Sequence, residues 1–159
     1  MTPEEIARLP YRLCVGVVLT HPDGRVFAGQ RADWQEPAWQ MPQGGIDPGE
    51  TPLQAAAREL QEETGVGQDH VRLIAETADW YRYDLPTEVV AKRWQGRFRG
   101  QEQKWVRFEL TAPEAVIDLH HKDVEFSAWR WMAATELLDL IVPFKRSIYD
   151  AVLKEFGLC

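Results

Sequence analysis

The stretch GGIDPGETPLQAAARELQEETGV, residues 44–66, decides the local fold of this chain. Thr51 and Gln54 can form a reciprocal capping box, and a proline follows Thr51 at the first helical position. The interior consists of strong helix formers, and Gly65 can end the helix in a left-handed conformation. These signals predict a helix over 51–64.

Three glutamates, Glu59, Glu62 and Glu63, are spaced i, i+3 and i+4, so they share one face of that helix. Crowded carboxylates repel one another, and a face of this kind is most often simply solvated. The alternative is a hard divalent cation, because Mg²⁺ prefers oxygen ligands and often bridges to substrate phosphate. The helix alone leaves both interpretations open.

The loop before the helix favours the metal interpretation. The pairs Gly44-Gly45 and Pro48-Gly49 allow a tight loop that brings backbone close to the helix start. Arg58 stands beside Glu59 and can orient a carboxylate through a bidentate pair. A solvated face would not require such a loop, so we expect a metal site.

With its loop and helix together, the segment resembles the complete 23-residue Nudix box. The pattern is Gly44, five residues, Glu50, seven residues, Arg58-Glu59-Leu60, one residue, Glu62-Glu63, one residue and Gly65-Val66. The resemblance implies the α/β (α+β) class and the Nudix fold, a mixed β-sheet sandwiched between helices. We expect a single domain over 1–159. The resemblance also implies an Mg²⁺-dependent hydrolase that uses two or three ions, with Mn²⁺ able to substitute.

The flanking segments resemble one Nudix subgroup, which holds bacterial RNA pyrophosphohydrolases and asymmetric diadenosine polyphosphate hydrolases. The segments are YRLCVGVVL, WQMPQGG, WYRYDLP, GQEQKW, DVEFSAWRW and VPFKRSIY. The first expectation is removal of pyrophosphate from 5′-triphosphorylated RNA, which leaves a 5′-monophosphate. The second is cleavage of dinucleoside polyphosphates, giving ATP and AMP from the tetraphosphate. A third, an inactive nucleotide-binding module, is disfavoured because every acid of the box is present.

Site residues follow from the same resemblance. Metal ligands are implied at Glu59, Glu62, Glu63 and Glu125, and catalytic roles at Glu62, Glu63 and Glu125. Either Glu63 or Glu125 would be the general base. Substrate contacts are implied for Arg12, Arg31, Gln43, Gly44, Tyr83, Gln103, Lys104, Phe144 and Lys145. For three of these residues there are simpler alternatives: Phe144 and Tyr83 would be core residues, and Glu125 would be an exposed loop acid.

The segment KRWQGRFRGQEQKWVR, residues 92–107, holds six of the eighteen Lys and Arg residues. Aromatic residues interleave with the cations, which suits contact with an RNA end or an adenine ring. The alternative is a solvated loop whose aromatic side chains enter the core.

Composition narrows the partners and the compartment. The formal net charge of -7 argues against broad, unspecific clamping of nucleic acid. Cys14 and Cys159 form neither a metal spacing nor a disulfide framework. Because no signal or membrane-spanning stretch is evident, we expect a cytoplasmic protein that does not enter membranes. The sequence does not identify a protein partner.

Outside the box, apolar patterns predict the remaining elements. Strands are expected over 13–19 and 26–30, joined as a hairpin, and over 71–78, 105–110 and 128–132. A structured loop is expected over 32–50, a helical turn over 137–141 and a closing amphipathic helix over 144–156.

Overall fold

A computed structural model describes residues 1–33, 38–120 and 124–159 of the chain. The helices are α1 (Pro3–Ala7), α2 (Pro52–Thr64), α3 (Thr87–Val90), α4 (Ala134–Leu140) and α5 (Pro143–Glu155). The strands are β1 (Tyr11–Thr20), β2 (Val26–Arg31), β3 (Trp39–Gln40), β4 (Gln43–Gly45), β5 (Val71–Glu76), β6 (Tyr81–Asp84), β7 (Gly100–Leu110) and β8 (Phe126–Met132). Short 3-10 turns cover Gln68–His70, Trp94–Gly96 and Glu114–Val116.

The strands form one mixed sheet. Its centre is the parallel pair of β1 and β7, in which Arg12 lies opposite Gln101 and Gly16 opposite Trp105. β4 pairs antiparallel with β1, and β5 and β6 pair antiparallel with different parts of β7. β2 meets β1 antiparallel at Thr20 and pairs antiparallel with β3 and β8. The predicted hairpin of the first two strands is therefore present.

Helices cover both faces of the sheet, as the resemblance implied. On one face, α4 and α5 bury their apolar side chains against a core that includes Trp105 and Tyr149. On the other face, α2 packs Ala56 and Leu60 against a core that includes Val17. α2 therefore lies against the sheet and fixes where its outward-facing side chains point.

α2 matches its prediction closely. The Thr51 side chain accepts a hydrogen bond from the Gln54 amide (3.1 Å), and the Gln54 side chain accepts one from the Thr51 amide (2.9 Å). Gly65 ends the helix at φ 75°. The capping box and the left-handed stop explain why the helix begins and ends at these residues.

The structure differs from the sequence prediction in several loops. Within the loop expected over 32–50, β3 and β4 pair with the sheet, while residues 34–37 lie outside the described residues, as does Asp123 at the start of DVEFSAWRW. α1, α3 and β6 were not predicted, and β7 begins at Gly100 rather than near 105. The polar start of β7 has little strand propensity, but pairing with β1 and β6 on its two sides overrides that preference.

The helical turn expected over 137–141 belongs to the longer α4, and the closing helix is α5. None of the helices in the described ranges is both long and apolar enough to span a membrane.

Candidate active site

A polar cleft of about 360 Å³ opens where β1 and β7 begin and α2 passes over β4. Its glutamates, Glu59, Glu62, Glu63 and Glu125, are called the acidic side below, and its arginines, Arg12, Arg31 and Arg93, the cationic side. Its lining residues are Arg12, Arg31, Gln40, Gln43, Gly44, Gly45, Glu59, Glu62, Glu63, Arg93, Trp94, Gln101 and Glu125. The structure therefore brings Glu125 to the three glutamates of the box, although it is far away in sequence.

The acidic side of the cleft holds carboxylates in an unfavourable electrostatic environment. Burial raises the pKa of Glu63 well above its usual value, and the charges of Glu59 and Glu125 act in the same direction. The Gln43 amide opposes this shift by donating a hydrogen bond to Glu63 Oε2 at 3.1 Å. Burial also raises the pKa of Glu59. These shifts mean that the glutamates gain from any cation that enters the cleft.

Arg58 organises the acidic side. Its Nε and Nη2 donate to the two carboxylate oxygens of Glu50 (2.8 and 2.9 Å), and Nη1 donates to Glu59 Oε1 (2.7 Å). Nη2 also donates to the Gly45 carbonyl at 2.8 Å. One guanidinium thus ties the loop, strand β4 and helix α2 together. Because Glu50 is engaged by Arg58, it supports the arrangement of the box rather than facing the cleft.

The residues of the acidic side fit a hard divalent cation. Glu59 packs so closely on Gly44 that a side chain at Gly44 would overlap its carboxyl group. The buried Oε1 of Gln43 has no hydrogen-bond partner among the described residues, which leaves an oxygen donor available. Within those same ranges, no three acidic, His or Cys side chains already form a metal-binding group. Mg²⁺ suits such an open arrangement because it keeps several waters and shares phosphate oxygens.

The cationic side is assembled from separate elements. Arg12 lies on β1, Arg31 ends β2 and Arg93 precedes the turn at Trp94–Gly96. Lys145, in α5, does not line the cleft but is close enough to Arg31 and Arg93 to interact with their charges. Only 4% of Lys145 is exposed, and burial, with the charges of Arg31 and Arg93, lowers its pKa to about 8. Arg31 forms an ion pair with Asp33 (2.7 Å). An anion in the cleft would relieve the repulsion among these cations.

The aromatic candidates lie beside Lys145. Its Nζ is 6.0 Å from the ring centroid of Phe144, and that ring lies 5.6 Å from the ring of Tyr83. Phe144 is 38% exposed, so the alternative that it is an ordinary core residue is wrong. A ring held at this exposure can contact a ligand.

Five predicted substrate contacts, Tyr83, Gln103, Lys104, Phe144 and Lys145, are not among the residues that line the cleft. Gln103 is buried, donates to Gln101 Oε1 (2.6 Å) and accepts from Trp105 Nε1 (2.9 Å). Lys104 points to the opposite face of β7, because successive strand side chains alternate. Its Nζ donates to the carbonyls of Thr77 (2.8 Å) and Ala78 (3.2 Å). Gln103 therefore contacts Gln101, which lines the cleft, rather than the cleft itself.

Five lining residues, Gln40, Gly45, Arg93, Trp94 and Gln101, were not predicted as site residues. Arg93 and Trp94 belong to the basic and aromatic segment 92–107, so that pattern carried a usable signal. The segment does not act as one loop, because its second half forms β7. Gln40 and Gln101 carry no signal in the sequence, because a single buried glutamine belongs to no motif.

The chain matches the family model of the NUDIX domain over residues 10–152. It is 54% identical to an RNA pyrophosphohydrolase of Dinoroseobacter shibae over 99% of this chain and 98% of the relative. It is 55% identical to an RNA pyrophosphohydrolase of Roseobacter denitrificans over 98% of both chains.

Among solved structures, the E. coli dihydroneopterin triphosphate pyrophosphohydrolase superposes with a TM-score of 0.72 at 22% identity, covering 92% of this chain and 99% of the other. A binary complex of the C. elegans Ap4A hydrolase superposes with a TM-score of 0.67 at 18% identity, covering 92% and 98% of the two chains. At these identities the two structures share the fold.

Proposed function

Because this chain belongs to the NUDIX domain family, we propose that its polar cleft hydrolyses the 5′-triphosphate end of RNA. The products are a 5′-monophosphorylated RNA and pyrophosphate, so the protein would act in RNA 5′-end processing and mRNA decay. Relatives above 50% identity over nearly the whole chain are RNA pyrophosphohydrolases, which supports this choice of substrate. The observation that carries the proposal is that four carboxylates and three guanidinium groups line one cleft.

Divalent metal ions are general to this family, and we propose Mg²⁺ as the ion here, two or three per site, with Mn²⁺ able to substitute. Glu59, Glu62, Glu63 and Glu125 are the residues that would hold it, since all four line the cleft. When bound, the metal would neutralise the polyphosphate and lower the pKa of a water molecule. Arg58 keeps Glu59 oriented toward the cleft during this binding.

A carboxylate must accept the proton of the attacking water. Glu63 is buried and accepts a hydrogen bond from the Gln43 amide, whereas Glu125 is exposed in the same cleft. An exposed carboxylate can pass a proton directly to bulk water, which favours Glu125, while the fixed geometry of Glu63 favours Glu63. Comparing the pH dependence of kcat in Glu63→Gln and Glu125→Gln separates them, because only loss of the base removes the acidic limb.

The cationic side would bind the polyphosphate and the adjoining nucleotide. Guanidinium groups such as Arg12 and Arg31 pair with phosphate oxygens through two parallel hydrogen bonds. The exposed ring of Phe144 is available to stack on a base, with Lys145 beneath it. The local cations concentrate a polyanion at this cleft although the whole chain carries a net charge of -7. We propose the cytoplasm as the compartment, where such RNA is made.

The test is a side-by-side panel of 5′-triphosphate RNA, diadenosine tetraphosphate and nucleotide sugars with Mg²⁺. We expect conversion of triphosphorylated to monophosphorylated RNA with the highest kcat/KM of the panel. Inertness toward that RNA, together with rapid release of ATP and AMP from diadenosine tetraphosphate, would overturn the choice of RNA. Binding of these ligands without release of phosphate from any of them would support an inactive module instead.

A further inference from the structure

Trp94 lines the cleft beside the cationic side, although it lies outside the Nudix box. The guanidinium carbon of Arg12 is 5.1 Å from the centre of its indole ring, and that of Arg93 is 5.6 Å away. Both distances fall within the range of cation–π attraction. The indole thus contacts two guanidinium groups that line the cleft and could bind a polyphosphate there.

The contacts of Arg12 orient its guanidinium without neutralising it. Nη1 donates to Cys14 Sγ at 3.4 Å, and a Cβ at Gly45 would come within 2.5 Å of Nη2, so the group is packed against backbone. Burial raises the pKa of Cys14 to about 11, which keeps that sulfur neutral. Among the described residues Arg12 forms no ion pair, and its charge therefore remains available to a bound anion.

Trp94 is itself held in an unusual backbone conformation. Trp94 and Gln95 both have positive φ values, 45° and 60°, which side chains other than glycine rarely adopt. The turn is closed by hydrogen bonds from the Gly96 amide to the Arg93 carbonyl (2.8 Å) and from the Arg97 amide to the Trp94 carbonyl (3.2 Å). The edge of Phe98 packs on the indole at 6.0 Å between ring centroids. Strained residues of this kind cluster where side-chain placement matters for function.

We infer that Trp94 is a positioning residue that seats the Arg12 guanidinium on the path of the polyphosphate. It acts through a neutral aromatic face, so it restricts the movement of Arg12 without competing with phosphate for its charge. The identity of the substrate rests on the proposed function, whereas the seating of Arg12 concerns any polyphosphate bound in the cleft.

The test is a double-mutant cycle of Trp94→Leu and Arg12→Ala, with Trp94→Phe as the conservative variant and Trp80→Leu as the matched control. Trp80 is 38% exposed and does not line the cleft. We expect Trp94→Leu to raise KM for triphosphorylated RNA about five- to tenfold with kcat changed less than about twofold, as loss of a partly desolvated cation–π contact would. Trp94→Phe should recover most of the affinity, and Trp94→Leu should add almost nothing once Arg12 is Ala.

A second readout, the Kd of inorganic pyrophosphate measured by calorimetry with Mg²⁺ present, separates this inference from the proposed function. If RNA is not a substrate but the pyrophosphate cycle shows coupling between Trp94 and Arg12, the seating role stands and only the substrate is wrong. Additive effects of the two substitutions, or equal losses in Trp94→Phe and Trp94→Leu, would overturn the seating role. So would an equal loss in Trp80→Leu.

Discussion

The two sides of the cleft are built in opposite ways. Three of the four glutamates of the acidic side come from one helix, α2, and a single guanidinium, Arg58, donates hydrogen bonds to two of them, Glu59 and Glu62. The cationic side draws Arg12, Arg31 and Arg93 from three separate parts of the chain, and the uncharged Trp94 indole contacts two of them, Arg12 and Arg93. The difference indicates that the acidic side is a local device that the motif specifies, whereas the cationic side exists only in the complete fold.

The largest effect should come from the acidic side, because it supports the chemical step. We expect Glu62→Gln and Glu63→Gln to lower kcat about 10²–10⁴-fold with a much smaller change in KM. Steady-state kinetics on the preferred substrate would measure this. Glu114→Gln, at an exposed acid away from the cleft, is the control and should behave as wild type. A mainly KM effect in the α2 variants would contradict the division between the sides.

A smaller loss of activity is expected from a substitution that disturbs the close packing of the acidic side against the backbone. Gly44→Ala should lower kcat/KM about 10- to 100-fold, because the new methyl group would displace the Glu59 carboxyl group. Gly67→Ala is the control, since a Cβ there meets only the Gln61 amide nitrogen, at 3.7 Å. Equal activity of the two alanine variants would show that Glu59 does not need its position against Gly44.

The contribution of Lys145, next to the cationic side, should appear in the pH dependence of KM. Lys145 has its pKa lowered to about 8, so its positive charge is lost as pH rises from 7 to 9. We expect KM of the wild type to rise over that interval, and Lys145→Met to have a KM about tenfold higher at pH 7 with no further rise. Arg146→Met, at the exposed neighbouring residue, should keep the wild-type profile. If the KM of Lys145→Met depends on pH as in the wild type, Lys145 does not take part in substrate binding.

The smallest expected effect is on the stability of the metal-free protein. Because the pKa of Glu63 is raised in the folded state, its ionisation destabilises the fold as pH rises above the unfolded value near 4.5. Glu63→Gln should therefore raise Tm in EDTA by about 2–4 °C at pH 7 and by less at pH 4.5. Thermal unfolding followed by circular dichroism would measure this. A lower Tm of Glu63→Gln at pH 7 would mean that the hydrogen bond from the Gln43 amide to Glu63 stabilises the fold more than burial and charge repulsion of Glu63 destabilise it.

The same contrast explains what the sequence could predict. Capping by Thr51, the stop at Gly65 and the spacing of the glutamates are local, so the helix and its acidic face followed from residues 44–66. The resemblance of the flanking segments predicted Arg12 and Arg31, which line the cleft, but spacing alone could not, because their proximity depends on the pairing of distant strands.

Lys104 illustrates the limit most clearly. Gln103 and Lys104 are adjacent in the motif GQEQKW, but successive side chains along β7 point to opposite faces of the sheet. Because residues 100–104 were not predicted to be a strand, no signal separated the two side chains. β4 was missed for a related reason. Gly44 and Gly45 have low strand propensity, yet they pair with β1. Glycine is present at these positions because Glu59 and Arg12 approach the backbone too closely for a larger side chain.

The most direct test of the division between the two sides measures binding and cleavage separately on a 5′-triphosphate RNA oligonucleotide with Mg²⁺. Single-turnover rates at saturating protein and Kd values would be compared for Glu62→Gln and Lys145→Met. We predict that Glu62→Gln binds the RNA nearly as well as wild type but cleaves it at least about 100-fold more slowly. Lys145→Met should bind about tenfold more weakly and cleave at nearly the wild-type rate once saturated. Slow cleavage by saturated Lys145→Met, with full activity in Glu62→Gln, would contradict the account.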